Sequence, residues 1–254
     1  IKVWEISTGK CIQKFSKAHQ KSVTAIQFSK FGSKLLSCSQ DGSVRIHGRQ
    51  SGQTLSTFRG HSSFVNDCCW AHDELHVISG SSDGTIKVWN IAQGDAVHTF
   101  RPGVGPAYEA TVNNIRIHPQ TDEIFVCNRS NKISLFTFSG QLVRTYSSTT
   151  EKDFVRCECS PKGLWVFGVT EDGVLLSYDQ ATGEAQHSIQ IHDREPTGIT
   201  VHPHRNLVGT FTEGILLKIW KPSATQRAAA SAKPASLPAE GTSTKPKIAF
   251  SIKK

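Results

Sequence analysis

Two histidine–aspartate pairs are the residues of this sequence whose types would suit acid–base chemistry. His61 lies 22 residues before Asp83, and His19 lies 22 residues before Asp41. An imidazole held beside a carboxylate is an arrangement that enzymes use for general acid and base catalysis. The same spacing occurs twice, however, which is typical of a repeated structural unit. We therefore interpret these residues as structural and predict that the chain is not an enzyme.

The whole chain repeats with a period of about 42 residues. The clearest copy begins at Gly60-His61 and ends at Asp83-Gly84-Thr85-Ile86-Lys87-Val88-Trp89. Ring-bearing residues close the successive copies at spacings of 43, 42, 47, 42 and 42: Trp4, His47, Trp89, Phe136, Tyr178 and Trp220. A period of about 40–45 residues with a Gly-His start and a Trp at a strand end is the signature of a β-propeller blade. The sequence therefore predicts an all-β propeller.

The repeat boundaries predict one domain followed by a tail. Residues 1–222 are expected to form the propeller, and residues 223–254 a low-complexity, basic, disordered tail. Because Ile1-Lys2-Val3-Trp4 repeats Ile86-Lys87-Val88-Trp89 and the sequence has no Met, we expect a fragment that starts inside a blade. We expect a ring of roughly seven blades, about five of them present here. After the outer half of a blade at 1–15, four-stranded blades are expected at about 16–58, 59–100, 108–146 and 152–190, and a three-stranded blade at 191–221.

Four residues of the clearest repeat are expected to form a hydrogen-bonded tetrad that stabilises the blade: His61, Ser79, Asp83 and Trp89. We call this tetrad the lock. Buried polar groups need hydrogen-bond partners, and these four side chains can satisfy one another. Other repeats depart from the set, and the 108–146 repeat keeps only Phe136 and a turn centred on Asn131. His47 stands where the Trp is expected, Gly168 where Ser or Thr is expected, and Gly214 where the Asp is expected. We expect these blades to depend more on strand packing.

Several stretches of the sequence carry a resemblance to a known family. They are Arg45-Ile46-His47-Gly48, Phe58-Arg59-Gly60-His61-Ser62-Ser63-Phe64-Val65-Asn66, Val126-Cys127-Asn128-Arg129-Ser130-Asn131, Asp153-Phe154-Val155-Arg156-Cys157, Ser160-Pro161-Lys162-Gly163 and His202-Pro203-His204-Arg205-Asn206-Leu207. With the repeat, they make the chain resemble WD-repeat (WD40) propellers and, more closely, the SMU family of nuclear splicing factors. The resemblance covers about 1–222, and Cys127-Asn128-Arg129-Ser130-Asn131 is its most specific piece.

The resemblance implies a protein-binding scaffold of the spliceosome in the nucleus, acting at the pre-catalytic stage with the splicing protein RED. It also implies an N-terminal LisH and CTLH region for dimerisation, which this sequence does not contain. A second use of the fold is as substrate receptor of a ubiquitin ligase or as another WD40 scaffold. Such receptors often carry Trp-Asp-x-Arg after a strand, whereas the sequence reads Trp4-Glu5, Trp89-Asn90 and Trp220-Lys221. Fold alone does not choose between these functions.

Partner-binding residues are expected on the narrow face, beside the first strand of each blade. The candidates flank a central Val of that strand or precede the turn Asp: Phe64, Asn66, Asn113, Arg129, Phe154 and Arg156. Exposed aromatic and Arg side chains are the types that dominate interface energies. The alternative for Phe64 and Phe154 is packing beneath a loop, and the sequence leaves both interpretations open.

Composition argues against several other classes of site. Seven cysteines without a CxxC pair are expected to be buried reduced thiols, in a reducing compartment. His118-Pro119 and His202-Pro203-His204 have no acid or Cys at ligand spacing, so we expect no metal and no cofactor. No apolar stretch is long enough to span a membrane. Six of the eight net positive charges fall after Trp220, so direct RNA contact is possible but is not indicated by the propeller.

The last ten residues, 245–254, differ from the low-complexity sequence before them. Ile248, Phe250 and Ile252 alternate and are flanked by Lys at both ends. An extended chain would place all three apolar side chains on one side. This pattern predicts a short linear motif that adds as a strand to the sheet edge of a partner. An inert disordered end is the alternative, and RNA binding by the tail is a third.

Overall fold

The fold is known from a computed structural model that describes residues 1–103, 111–205, 207–213, 217–222 and 250–251. Within these ranges it contains β-strands and no α-helix. It accordingly has no helix with the length and apolar character needed to cross a membrane, as far as those ranges extend. The all-β fold predicted from the repeat is confirmed.

The strands form one two-stranded unit and five four-stranded blades. The two-stranded unit is β1 (Lys2–Glu5) and β2 (Lys10–Lys14). The first blade holds β3 (Val23–Phe28), β4 (Lys34–Ser39), β5 (Ser43–Gly48) and β6 (Thr54–Arg59), and the second holds β7 (Val65–Trp70), β8 (His76–Ser81), β9 (Ile86–Asn90) and β10 (Ala96–Phe100). The third holds β11 (Val112–Ile117), β12 (Glu123–Asn128), β13 (Lys132–Thr137) and β14 (Leu142–Ser147).

The fourth blade holds β15 (Phe154–Cys159), β16 (Trp165–Thr170), β17 (Val174–Asp179) and β18 (Ala185–Gln190). The last blade holds β19 (Pro196–Val201), β20 (Val208–Thr212), β21 (Lys218–Pro222) and β22 (Phe250–Ser251). Every neighbouring pair in a blade is antiparallel, so each blade is a meander from an inner to an outer strand. Each inner strand contacts the inner strand of the next blade, in the order β3, β7, β11, β15 and β19.

The hydrophobic core lies between successive blades. Ile78, Ile86 and Val88 of the second blade pack in one buried cluster with Val112 and Ile115 of the third. Because strand residues alternate between faces, every second residue of the middle strands can reach a neighbouring blade on each side. The middle strands β8 and β12 are buried along nearly their whole length, whereas the outer strand β10 is largely exposed.

The last blade differs from the prediction in its strand number. Residues 191–221 were expected to give three strands, but β22 from the chain's final residues makes a fourth. It pairs antiparallel with the end of β21, Lys221 opposite Ser251 and Pro222 opposite Phe250. The remaining tail, residues 223–249 and 252–254, lies outside the described residues, so its predicted disorder is untested.

Candidate functional site

The four predicted lock residues of the second blade form one directed chain of hydrogen bonds. Trp89 Nε1 donates to Ser79 Oγ over 2.8 Å, and because an indole N–H only donates, the hydroxyl must accept it. The Ser79 hydroxyl is then free to donate to His61 Nε2, 2.8 Å away. His61 Nδ1 donates to Asp83 Oδ2 over 2.9 Å. Asp83 also accepts the backbone N–H groups of Ser62 and Thr85.

The electrostatics of this chain of bonds follow from burial and from the hydrogen bonds themselves. Burial lowers the pKa of His61, and the hydrogen bond and charge of Asp83 oppose that effect in part. Burial alone would raise the pKa of Asp83, but the Thr85 hydroxyl, the contact with His61 and the Thr85 amide together lower it to about 2. The imidazole side chain is fully shielded from solvent. A substrate has no access to it, so the arrangement serves as a structural lock.

The first blade keeps this geometry with a different fourth residue. His19 Nε2 lies 2.8 Å from Ser37 Oγ, and His19 Nδ1 lies 3.1 Å from Asp41 Oδ2. His47 takes the place of the indole, with Nε2 2.8 Å from the same Ser37 hydroxyl. Its Nδ1 lies 3.0 Å from Thr54 Oγ1. If the Thr54 hydroxyl donates to His47 Nδ1, then His47 Nε2 can donate to the Ser37 hydroxyl. That hydroxyl can donate to His19 Nε2, and His19 Nδ1 can donate to Asp41.

With Thr54 as the donor, one ring nitrogen of His47 accepts and the ring is neutral. Burial, followed by the nearby His19 and Arg45 charges, lowers the pKa of His47 to about 4. The ring is completely buried and packs 5.1 Å from the ring of Phe15. The substitution of Trp by His is therefore accommodated by a neutral imidazole that donates as the indole does.

The last blade retains half of the lock. Trp220 Nε1 donates to Thr210 Oγ1 over 2.9 Å, and His192 Nε2 lies 3.0 Å from the same hydroxyl. Gly214, at the predicted Asp position, lies outside the described residues. In the fourth blade the Tyr178 hydroxyl instead donates to the Ser147 carbonyl of the neighbouring blade over 2.7 Å. The last blade thus keeps part of the lock and the fourth blade has a different hydrogen bond, whereas the first blade keeps the lock although strand packing was expected to take its place.

Phe64 is the candidate partner-binding residue with the most accessible apolar surface. Its side chain is 43% exposed, and the Lys21 ammonium lies 5.4 Å from the ring centroid. The backbone around it is fixed, because the Ser82 N–H donates to the Phe64 carbonyl over 2.8 Å. Of the two interpretations that the sequence left open, the structure agrees with an exposed Phe64.

Asn66, Asn113 and Arg156 lie together where the inner strands begin. The Asn66 side-chain amide donates to the Val112 carbonyl over 2.9 Å, and Arg156 Nη1 donates to the Asn113 carbonyl over 2.9 Å. Both bonds cross from one blade to the next. The half-buried Asn66 and Arg156 side chains and the Asn113 carbonyl therefore link neighbouring blades.

The Arg129 side chain is more exposed than those of Asn66, Asn113 and Arg156 and is accessible to a partner. It precedes β13 and is largely exposed, with Nη2 3.4 Å from Glu195 Oε1 in the segment before β19. Ion pairs between exposed side chains contribute roughly 0–1 kcal/mol. A partner carboxylate could therefore replace Glu195 at little cost.

The prediction that Phe154 lies on the partner-binding surface is wrong, because Phe154 is fully buried. The sequence aligned Phe154 with Phe64, but the structure aligns Phe64 with Asp153. The Phe64 and Asp153 carbonyls each accept the N–H of the residue before the turn Asp, Ser82 and Glu171. Phe154 instead takes the core position of Val65 and Val112.

The reason for this shift is the glycine at the lock position. A Cβ on Gly168 would lie 2.5 Å from Phe154 Cε1 and 2.6 Å from Ile133 Cδ1. The Phe154 ring thus fills the space that Ser79 and its partners occupy in the second blade. It also lies 6.4 Å from the Tyr178 ring in an edge-to-face arrangement. The missing lock hydroxyl, visible in the sequence, was the signal for this packing.

A partly buried charge network of Asp67, Arg116 and Glu158 was not predicted. Asp67 Oδ2 accepts from Arg116 Nη1 over 2.7 Å, from Asn114 Nδ2 over 2.6 Å and from the Ile115 N–H over 3.1 Å. Arg116 Nε donates to Glu158 over 2.8 Å, which joins three inner strands. Burial would lower the pKa of Arg116, but the two carboxylates raise it far above its usual range. The sequence signal that could have indicated this network is the presence of charged residues on inner strands that are otherwise apolar.

The other chemical candidates give no site in the described residues. No group of three or more His, Cys, Asp or Glu there is arranged to hold a metal ion. All seven cysteines are free, and six are buried, the exception being Cys11. Burial raises the pKa of Cys69 and of Cys159, so these thiols stay protonated and unreactive.

Comparison with known proteins agrees with the blade geometry. The family model for the WD domain, G-beta repeat, matches residues 9–47 and 52–90. The chain contains WD40 repeats at these two segments. The first matched segment of this WD40 chain contains the lock of the first blade from His19 to His47, and the second contains that of the second blade from His61 to Trp89.

Individual relatives of the chain carry different names. It is 42% identical over 167 residues to WD40 repeat-containing protein smu1 of Dictyostelium discoideum, covering 65% of this chain and 31% of that protein. It is 26% identical over 184 residues to eukaryotic translation initiation factor 3 subunit I of Meyerozyma guilliermondii, covering 68% and 52%. It is 29% identical over 198 residues to Protein ROOT INITIATION DEFECTIVE 3 of Arabidopsis thaliana, covering 70% and 43%.

The resemblance to an SMU protein that the sequence predicted is confirmed by the first of these similarities. The chain spans 31% of the length of that relative and 52% and 43% of the other two. None of the three carries the name of an enzyme, in keeping with the general use of WD40 repeats as scaffolds.

Proposed function

We propose that this chain is part of a protein-binding scaffold that acts in the spliceosome during pre-mRNA splicing in the nucleus. The observation that carries the proposal is its 42% identity to smu1 over 167 residues. The SMU-like stretch Cys127-Asn128-Arg129-Ser130-Asn131 supports it, because it lies in a blade without the general WD40 lock. Resemblance in such a blade is more specific than resemblance in the lock residues.

The narrow face is the proposed binding surface, and we define it as Phe64, Arg129 and the neighbouring Lys21. An exposed aromatic ring offers apolar area, and an Arg held by a weak ion pair offers a two-pronged donor for a carboxylate. The Phe64 side chain is exposed and its backbone is fixed, so little ordering is required on binding. The surface suits a protein partner that presents apolar and acidic side chains.

The partners proposed for this surface are spliceosomal proteins, including a RED-type splicing protein. Asn66, Asn113 and Arg156 border the surface and keep adjacent blades in place, so they support the binding surface. Phe154 is excluded from it because its ring has no exposed area.

A scaffold of the translation initiation machinery is the second candidate. It is favoured by the similarity to subunit I of initiation factor 3, which extends over 68% of this chain and 52% of that protein. The longer coverage comes with lower identity, 26% against 42%. We rank it second because identity at degenerate blades is more specific than coverage of a common repeat.

Affinity purification of the tagged full chain from nuclear and cytosolic extracts tests the proposal. We expect splicing proteins, with a RED-type protein among them, to be enriched from the nuclear extract over a tag-only control. Enrichment of initiation factor 3 subunits from the cytosol, without splicing proteins, would overturn the proposal in favour of the second candidate.

A further inference from the structure

The inner strand of each blade has one edge that does not pair with the second strand. In an antiparallel pair, residues that exchange hydrogen bonds alternate with residues whose N–H groups point away from the partner strand. The Ala71 N–H donates to the His76 carbonyl, which sets this alternation in the second blade and directs the Cys68 N–H to the free edge. The same register holds in the later blades, where the residues with this orientation are Ile115, Cys157 and Ile199.

Side chains accept these edge N–H groups in the second, third and fourth blades. The Cys68 N–H donates to Asp67 Oδ1 over 2.9 Å, and the Ile115 N–H donates to Asp67 Oδ2 over 3.1 Å. The Cys157 N–H donates to Asn114 Oδ1 over 2.9 Å. Asp67 and Asn114 occupy equivalent positions of their strands. The acceptor is therefore the residue just before the N–H on the same strand, or its equivalent on the preceding blade.

Neither of these positions provides an acceptor for the Ile199 N–H of the last blade. Arg156 stands at the equivalent position of the fourth blade, and a guanidinium only donates. Gly198 stands there in the last blade and has no side chain. A Cβ at Gly198 would overlap the Phe211 ring, so a longer side chain is excluded. Ile199 is nearly buried, and a donor in such a place needs an acceptor from elsewhere.

The guanidinium of Arg156 adds a positive charge to the same edge. Arg156 Nη1 donates to the Asn113 carbonyl over 2.9 Å, and the side chain is half-buried. Arg116, the other arginine on an inner strand, pairs with two carboxylates, those of Asp67 and Glu158. Arg156 forms no ion pair with any residue that the structure describes. Its charge and its remaining N–H groups are therefore available to an anion.

A carboxylate bound by the same two kinds of donor is present inside the chain. Asp67 Oδ2 accepts the Ile115 N–H over 3.1 Å and Arg116 Nη1 over 2.7 Å. One carboxylate oxygen thus satisfies an edge N–H and a guanidinium between the second and third blades. Between the fourth and fifth blades, an edge N–H and a guanidinium are present and the chain supplies no carboxylate at the equivalent position.

We propose that Arg156 and the Ile199 N–H form a binding site for the carboxylate of an acidic side chain on a protein partner. One blade earlier, Asn114 reaches the Cys157 N–H from the position that Arg156 occupies, so the base of the Arg156 side chain lies beside Ile199. A carboxylate has two oxygens and can accept from the N–H and from the guanidinium together. The site borders the proposed binding surface, but its chemistry is the same whichever assembly supplies the partner.

Titration of the isotope-labelled full chain with short blocked peptides, followed by NMR, tests this. The probe peptide has one glutamate between glycines, and the matched control peptide has glutamine there, so the two differ only in the carboxylate. We expect the glutamate peptide to shift the Ile199 amide resonance in a saturable manner and the glutamine peptide to cause no saturable shift. Equal responses to the two peptides, or no response to either, would overturn the proposal. A stronger response to acetate than to the glutamate peptide would overturn the assignment to a partner's side chain.

Arg156→Asn is the variant that tests the residues, because it places the residue type of Asn114 at the equivalent position. The new side chain can accept the Ile199 N–H, so we expect slower hydrogen exchange at that amide and loss of the response to the glutamate peptide. Arg129→Asn is the matched control, because it removes an exposed arginine elsewhere and should leave the response unchanged. An unchanged response in Arg156→Asn, at a melting temperature that shows a folded chain, would contradict a site at Arg156.

Discussion

His47 Nε2 lies 2.8 Å from Ser37 Oγ, the same distance that separates Trp89 Nε1 from Ser79 Oγ in the next blade. An imidazole thus performs the donation that an indole performs elsewhere. The two rings differ in titration: an indole N–H does not gain or lose a proton near neutral pH, whereas an imidazole does. The first blade therefore carries a pH dependence that the second blade lacks at this position.

The first prediction concerns that pH dependence. The pKa of His47 falls from 6.5 to about 4 on folding because the ring is buried near other positive groups. Between these values the unfolded chain binds a proton that the folded chain does not, so stability falls as pH falls through this window. The contribution is on the order of 1–3 kcal/mol. Chemical denaturation at pH values of about 7.5, 6, 5 and 4, which span the window, measures it.

His47→Trp with Thr54→Ala is the comparison variant, because it reproduces the opposed pair Trp89 and Ala96 of the second blade. We expect it to lose less stability than the parent as the pH falls from 6.5 to about 4. His61 and His192 also have pKa values lowered by burial, and they lie outside this group of residues and contribute equally to both proteins. Parallel pH profiles for the two proteins would disprove the assigned role of His47.

The second prediction concerns the lock in the second blade. Asp83→Ala removes the acceptor of His61 and of two backbone N–H groups and should destabilise the chain on the order of 1–3 kcal/mol. Asp172→Ala is the matched control, because this aspartate stands at the same turn position, is exposed and accepts from the Thr170 hydroxyl where Asp83 accepts from His61. Equal losses in the two variants, by urea unfolding, would contradict a special role for the lock.

The third prediction concerns the partly buried network. Arg116→Met leaves Asp67 and Glu158 as neighbouring carboxylates without their shared cation, which should cost roughly 1–3 kcal/mol because the Arg116 side chain is partly exposed. Arg129→Met breaks an exposed ion pair and should cost less than about 1 kcal/mol. A thermal unfolding series with both variants separates the two cases. A small loss for Arg116→Met would mean that the network is not a major stabilising contact between blades.

The fourth prediction distinguishes Phe64 from Phe154, which the sequence analysis assigned to the same position of their blades. Phe154→Ala should destabilise the chain by about 3–5 kcal/mol, because it empties a core position against Gly168 and Tyr178. Phe64→Ala removes a largely exposed ring, and such surface changes usually stay within about 0.5 kcal/mol. Comparable losses in urea unfolding would indicate that Phe64 is also a core residue.

The repeat made most of the fold predictable. The spacing of ring residues and the recurrent His–Asp pairs depend on local sequence, so blade order and the lock in the second blade follow from the sequence itself. The lock of the first blade was not predicted, because His47 at the Trp position led to the expectation that strand packing would take its place. The predicted features are periodic, and a period is visible without knowledge of tertiary contacts.

The features that the sequence did not predict depend on contacts between blades. Val155 looked like the central Val of its strand, and only the space left by Gly168 shows that Phe154 is the buried residue. The Asp67–Arg116–Glu158 network joins residues more than 40 positions apart, which no local pattern reveals. The same is true of β22, since alternation in the tail predicted a strand but not which sheet it joins.

The most direct test of the proposed scaffold is a pull-down from nuclear extract with the full chain carrying Phe64→Ser, compared with Leu55→Ser and with the parent. Leu55 is 53% exposed on an outer strand, so it matches Phe64 in exposure and in apolar character but lies away from the narrow face. We predict that Phe64→Ser loses spliceosomal proteins while Leu55→Ser retains them, at equal melting temperatures. Retention of the same proteins by Phe64→Ser would contradict the narrow face as the binding surface.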